Sequence, residues 1–430
     1  MCKSILRLLL AAYMAFAAMP LDAQNLRERL FDPVEHTAGS SMSYRYEPQT
    51  AAPVPEGYAP FYISHFGRHG SRYHTTENIY RKFRDIFAAA AEADALTPFG
   101  REVKARIDAV FAQCDGHAGE LSEVGRNEHR EIARRMYAAY PEVFAASAKG
   151  RPACVFSRST AVERVVESMR SFDAALMECD SDLEIEEAPA GKYNGYLNHY
   201  NKEYKEYYRN GGWRAVYDAK RSEWVRPERL MESLFSDGEY VRRNIKSRRS
   251  FMTELFAVAS ILQDTTPDVS LYDVFTDDEI YSLWRLQNLN QYLRKGPSAM
   301  AGELAASIAK PLLRDFVECA DRAVAGTGGV AADLRFGHGE GLMPLAALMN
   351  LSGASTAESD PEKVEEAWND YMVTPMAGNI QWIFYRNAKG RVLVRFLLNE
   401  REATIPLESD TAPYYDWKAV RRYYVKIAAE

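Results

Sequence analysis

Phe61-Tyr-Ile-Ser-His-Phe-Gly-Arg68-His69-Gly70-Ser71-Arg72-Tyr73 is an apolar, β-prone run that ends in two arginines bracketing a histidine and a glycine. A strand that delivers its last residues into a turn sets them at the carboxyl edge of a sheet, where α/β proteins bind ligands. Glycine lets the backbone turn tightly and approach a ligand closely. Two guanidiniums beside one imidazole make a pocket for a tetrahedral dianion, with a nucleophile at its centre. The stretch points to phosphoryl transfer.

Outward from this turn, 79–93 and 101–112 carry apolar residues at helical spacing, interrupted by Leu96-Thr-Pro-Phe-Gly100. Ser122 reads as the N-cap of a helix running to about 140. Arg151-Pro-Ala-Cys-Val-Phe156 reads as a second buried strand, passing through Ser157-Arg158-Ser-Thr160 into a helix over 161–177. Strand character returns at 329–337, followed by His338-Gly339-Glu340-Gly341 and a helix through 350. A hairpin follows, with strands over 381–385 and 392–398 about the turn 387–390. Between 178 and 310, tyrosines, tryptophans and charges crowd helical patterns such as 239–263 and 277–294, with few strand signals. The order predicts an α/β fold, a Rossmann-like, mostly parallel sheet flanked by helices, interrupted by a mostly α-helical cap. The expected division is a signal peptide over 1–23, an α/β core from 24–177 and 311–430, and the cap over 178–310.

The leader reading rests on Lys3 and Arg7, the apolar run 8–19, and small residues near Ala23, which together suit export better than anchoring. No later run is long enough to span a bilayer, so no membrane insertion of the mature chain is expected. The expected location is periplasmic or secreted. Past the leader stand Cys114, Cys154, Cys179 and Cys319. Their wide spacing and a large core make no disulfide obligatory, and no spacing suggests a metal site. The formal charge of −7 argues against nucleic acid as a partner, so any polyanion must meet a local basic pocket.

Three strand ends carry polar residues that a parallel sheet would gather along one edge. Arg68, Arg72 and Arg164 would hold the nonbridging phosphate oxygens, with His338 as a further donor. His69 is the expected nucleophile and Glu340 the acid that protonates the leaving alcohol and then deprotonates water. Blander roles stay open at each position. Arg158 and Arg164 suit capping or salt bridging at a strand-to-helix turn, and Glu340 suits the positive end of the helix it begins, which would depress its pKa. His36, His65, His74, His117 and His129 read as structural. The run Arg242-Arg243-Asn-Ile-Lys246-Ser-Arg248-Arg249 reads as a solvated helix face rather than a substrate lining.

Arg68-His-Gly-Ser-Arg72 resembles the R-H-G-x-R signature of the histidine acid phosphatases, branch 2 of the histidine phosphatases. Ser157-Arg-Ser-Thr160 with Arg164 resembles the family's second arginine segment, and Leu334-Arg-Phe-Gly-His338 the strand bearing its second active-site histidine. His338-Gly-Glu340 departs from the His-Asp pair of most acid phosphatases. It resembles the His-Ala-Glu proton-donor motif of the multiple inositol polyphosphate phosphatases, whose ending Leu397-Leu-Asn-Glu400 also resembles. Tyr73 matches that subgroup, whereas His74 stands where the signature usually has proline, which implies a slightly looser turn. The resemblance implies a phytase, removing phosphates stepwise from inositol hexakisphosphate and lower inositol phosphates without a metal or other cofactor. Lys192, His199 and Lys202, and less so the run from Arg242 to Arg249, are then candidate contacts to distal phosphates. The alternatives are a broad acid phosphatase acting on sugar or nucleotide monophosphates, an exported phosphate-ligand binding protein without turnover, and, less favoured, a mutase.

Overall fold

The computed structural model describes residues 23–145, 152–265 and 268–429; the expected signal peptide lies, but for its last residue, outside them. Its strands are β1 (Tyr58–Arg68), β2 (Cys154–Ser159), β3 (Glu184–Glu187), β4 (Ala332–Gly337), β5 (Asn379–Asn387), β6 (Val392–Leu398), β7 (Arg401–Ala403) and β8 (Tyr415–Asp416). They form one sheet in the order β3-β2-β4-β1-β5-β6-β7, with β8 paired to β6. Strands β3, β2, β4 and β1 run parallel, and β5 and β6 extend the sheet antiparallel.

Helices cover both faces of the parallel part, which explains the unbroken burial of β4 and of the second half of β1. Tyr62 and Phe66 pack on one face with Phe316, Trp382, Phe384 and Tyr424. Ile63 packs on the other with Ile132, Met169, Phe172 and Ile383. The period-2 alternation of β1 therefore feeds two cores at once. A third apolar cluster joins the helices Ile79–Glu92 and Pro98–Cys114 to helices over 228–286.

β2 runs 154–159 rather than 151–156. Its polar end stays in the sheet because Ser157 Oγ donates to Asp173 at 2.7 Å and Arg158 pairs with Asp333. The helical pattern over 239–263 divides into Gly238–Asn244 and Arg248–Ile261, because Ser247 caps the second helix by accepting from Ser250 N. The hairpin turn closes as expected, with Gly390 N donating to Asn387 O. The four described cysteines are free thiols.

The chain places β4 between β1 and β2, with β3 beyond β2. The carboxyl ends of β1, β2 and β4 thus lie side by side where the strand order changes direction, the place for a ligand crevice in such a sheet.

Candidate active site

His69 follows directly on β1. Its backbone N donates to Gly337 O at the end of β4, and its carbonyl accepts from Ala377 N in the loop before β5, at 3.0 and 2.9 Å. The imidazole Nδ1 lies 2.9 Å from Gly70 O. A carbonyl only accepts, so Nδ1 carries the hydrogen and Nε2 keeps its lone pair. Burial, then the charges of Arg68, Arg72, Arg164 and His338, hold His69 well below its ordinary pKa. It is a neutral, oriented imidazole.

The turn that presents it requires two glycines. A Cβ on Gly70 would lie 2.4 Å from Gly125 O, and one on Gly125 would lie 2.2 Å from Ser71 O. The turn and the helix Glu123–Ala139 thus meet backbone to backbone. Ser122 caps that helix through Gly125 N, and its N and Oγ both donate to Ser71 O at 3.0 Å. Arg72 adds a β-bridge to Leu121, Tyr73 N donates to Glu120 O, and His74 N donates to Tyr80 Oη at 3.1 Å. These bonds supply the constraint that a proline at 74 would give. Beneath the turn, buried Glu128 accepts from Ser71 N and Oγ, each at 2.7 Å, and Asp264 accepts from Ser71 Oγ at 3.0 Å.

Arg68 is oriented by Nη1 donating to Ser40 O and Thr374 O, and Arg72 by Nη1 donating to Tyr73 O. Arg164 enters from the first turn of the helix Glu163–Cys179. Among the described residues, the Nε atoms of all three are buried without a partner and none of the three is paired with a carboxylate. Burial and repulsion from Arg68 and Arg164 bring Arg72 down to about 10; burial also lowers Arg68 and Arg164. Guanidiniums held together beside a neutral imidazole, with no directly paired carboxylate among the described residues, form a ready receptor for a dianion.

His338 caps the helix Gly339–Leu348, its ring centroid 5.6 Å from that of His69, and its Nε2 lies 3.3 Å from Thr160 Oγ1. Burial lowers it to about 4, with Glu340 acting in the opposite sense. Glu340 follows on the first turn. Its side chain is 41% exposed and its Oε1 lies 2.8 Å from Lys295 Nζ. That ammonium, foremost, holds the carboxyl well below the usual carboxylate range, against the effect of burial. The sequence anticipated a depressed Glu340 from its place on the helix, but the main cause is a lysine at the end of the helix Asp277–Lys295.

A model of the histidine phosphatase superfamily (branch 2) matches residues 67–210, the span that holds the nucleophile turn and Arg164. Over that span the chain is similar to that superfamily. Human multiple inositol polyphosphate phosphatase 1 is 23% identical over 378 residues, covering 81% of this chain and 76% of the human protein. The multiple inositol polyphosphate phosphatase of Bifidobacterium longum, in complex with inositol hexasulfate, superposes with a TM-score of 0.73 at 21% identity, over 89% of this chain and 96% of that one. The phytase of D. castellii superposes at 0.66 and 15% identity, over 92% and 86%. The fold is that of the histidine phosphatases, an α/β architecture with a central, mostly parallel sheet.

In this chain Arg68, His69, Arg72, Arg164, His338 and Glu340 converge at the ends of β1, β2 and β4. Lys192 and His199 lie on the segment that crosses the ends of β2 and β4, where Gly191 N donates to Ser159 O and Leu197 O approaches Gly337. Lys192 is exposed with its Nζ 5.3 Å from the Tyr193 ring centroid, and exposed Lys202 opens the helix Lys202–Asn210. Two features escaped sequence reasoning. Lys295 gives no local signal, because a lysine in a last helical turn ordinarily serves the helix dipole. Asn399 and Glu400 turn out to brace the site from behind. Asn399 Oδ1 accepts from Asn379 N while its amide donates to Met372 O, fixing the loop whose Thr374, Ala377 and Gly378 hold Arg68 and His69. Glu400 in turn takes both nitrogens Nε and Nη2 of Arg135 at 2.9 and 2.8 Å. Their signal was the Leu397-Leu-Asn-Glu400 match, which gave the residues without the role.

Proposed function

We infer that this protein is an inositol polyphosphate phosphatase, a phytase that hydrolyses phosphomonoesters through a phosphohistidine. The carrying observation is the lone pair on Nε2 of neutral His69, beside three guanidiniums that no carboxylate pairs directly among the described residues. In the first step Nε2 attacks phosphorus while Arg68, Arg72 and Arg164 take up the charge on the nonbridging oxygens. The phosphorus–oxygen bond to the alcohol breaks, and Glu340 supplies the proton that the departing oxygen needs. In the second step water attacks the phosphorus–nitrogen bond and gives its proton to Glu340, releasing inorganic phosphate and restoring neutral His69. The substrate class is supported by the His338-Gly-Glu340 motif and by the relatives named for inositol polyphosphates. The basic, apolar and small-residue order of the leader supports export to the periplasm or the medium. Lys192, His199 and Lys202, at and near the cleft mouth, suit contacts to distal phosphates.

Rapid quenching of labelled inositol hexakisphosphate turnover into alkaline denaturant, which preserves phosphohistidine, tests the reading. Label should be found on His69 in the wild type and be absent from His69→Ala. The variant should lose roughly four or more orders of magnitude in kcat, as removal of a covalent nucleophile does elsewhere. Turnover without labelled histidine would overturn the covalent route.

A further inference from the structure

The ion pair between Glu340 and Lys295 sits badly with acid catalysis. A carboxylate bonded to an ammonium is ionised, yet the first step needs its proton. Lys295 is the buried partner, with a side chain 6% exposed, whereas Glu340 is 41% exposed. The carboxylate therefore faces the cleft and covers the ammonium from the solvent side. Beside them Arg294 gives Nη2 to the Tyr208 hydroxyl and Nη1 to Asn290 Oδ1, and keeps a buried Nε with no partner among the described residues. The groups facing Glu340 are Lys295 and Arg294 from the cap helix, Arg68 and Arg72 from the nucleophile turn, Arg164, His338, and the Tyr200 and Tyr204 hydroxyls. Burial pushes Tyr200 up to about 12, so it remains a hydrogen-bond donor.

The phosphate under attack is taken by Arg68, Arg72 and Arg164 and has no call on Lys295. A second phosphate on the same small molecule does. Carrying up to two charges and three oxygens, it is a stronger partner for an ammonium and a neighbouring guanidinium than one carboxylate is. Arg294, with its spare N–H, extends the same receptor.

Resting on the phosphatase reading, we propose that Lys295 is a positioning residue for Glu340 that reads a second phosphate on the substrate. Its ammonium holds the carboxylate aside until a neighbouring phosphate group displaces it, so the general acid is released on polyphosphorylated substrates and not on monophosphates. Specificity for polyphosphates then resides in the acid step as well as in binding.

Methionine at 295 keeps the length and removes the charge, and Glu340 can hydrate in its place because it is half exposed. The experiment compares wild type, Lys295→Met and Lys295→Arg on inositol hexakisphosphate and on glucose 6-phosphate, a monophosphate whose alcohol needs protonation. In the wild type the alkaline limb of kcat should lie at lower pH for the monophosphate. Losing the ammonium raises the Glu340 pKa, so in Lys295→Met that limb should move up by about one pH unit, with the hexakisphosphate limb nearly still. The ratio of kcat/KM between the two substrates at pH 7 should fall by about tenfold or more, and Lys295→Arg should restore most of it. Calorimetry with inositol hexakissulfate, which is not turned over, should show an affinity loss in Lys295→Met about tenfold larger than the loss for orthophosphate. Equal losses on both substrates with unmoved limbs, or equal affinity losses for both anions, would overturn the proposal. The binding arm needs no turnover, so it judges Lys295 even if the phosphohistidine route fails.

Discussion

Two groups of buried arginines, whose nearest members in sequence are Arg158 and Arg164, behave oppositely. Arg158 pairs with Asp333 and, at 3.5 Å, with Asp315; Arg335 binds Asp315 through Nε at 2.5 Å. Two guanidiniums thus meet two carboxylates inside the sheet. Against burial, those carboxylates hold both arginines above their ordinary pKa. Arg68, Arg72 and Arg164 are also withdrawn from water, but they face one another and an imidazole, and all three are shifted downward. Each group has buried N–H bonds left over, so unsatisfied donors alone do not separate them. Direct ion pairing with carboxylates does. A balanced cluster is part of the fold; an unbalanced one is stabilised by the anion it awaits.

The largest test of that division is Arg164→Ala. Removing one donor from a transition-state receptor costs about 10²–10³ in rate. The expected loss in kcat/KM is of that size, with the melting temperature unchanged or slightly raised because like-charge repulsion is relieved. Lysine at 164 should recover only part of the activity, since it lacks the planar fork. A falling melting temperature with little kinetic effect would move Arg164 into the structural group.

Arg158→Met is the reciprocal experiment. Its side chain is 3% exposed and that of Asp333 is 4%. Losing one partner of such a pair leaves a buried charge uncompensated, a cost of about 3–5 kcal/mol. Denaturant unfolding should show a loss of this size, while kcat/KM near room temperature stays close to that of the wild type. Adding Asp333→Leu should return part of the stability. A large kinetic defect in a well-folded Arg158→Met would break the comparison from the other side.

This contrast also marks how far the sequence could be read. Arg68, His69 and Arg72 were legible because a strand, a glycine turn and clustered cations are local events. Ser122 was legible as a cap, and the convergence of 68, 164 and 338 followed from three strand ends in one parallel sheet. What separates Arg158 from Arg164 is not local: the carboxylates that neutralise Arg158 are far along the chain, Asp333 brought to it by the pairing of β2 with β4 and Asp315 by the helix Lys310–Ala325. Lys295 was hidden for the same reason, its partner lying on a different helix. The edge strands β3, β7 and β8 escaped notice because two to four residues are too few to display an alternation. The break at Ser247 interrupts a run that is apolar at helical spacing on both sides, so periodicity carried across it.

A third set of arginines sharpens the comparison at its weak end. Arg242 and Arg243 both lean on Glu239, with side chains 61% and 77% exposed. They are compensated and hydrated at once, so they neither await an anion nor hold the fold. Arg249 differs, since its Nε donates to Val225 O at 3.1 Å and ties two helices together. Single alanine substitutions at 242 and 243 should each change stability by no more than about 0.5 kcal/mol. The double variant should lose less than their sum, because one carboxylate serves both and cannot pair fully with each. The KM for inositol hexakisphosphate should not move in either. A rise of several-fold at moderate salt would mean that exposed, paired arginines on these helices bind substrate. Charge balance would then no longer suffice to tell a ligand-binding arginine from a structural one, and distance from His69 would have to replace it.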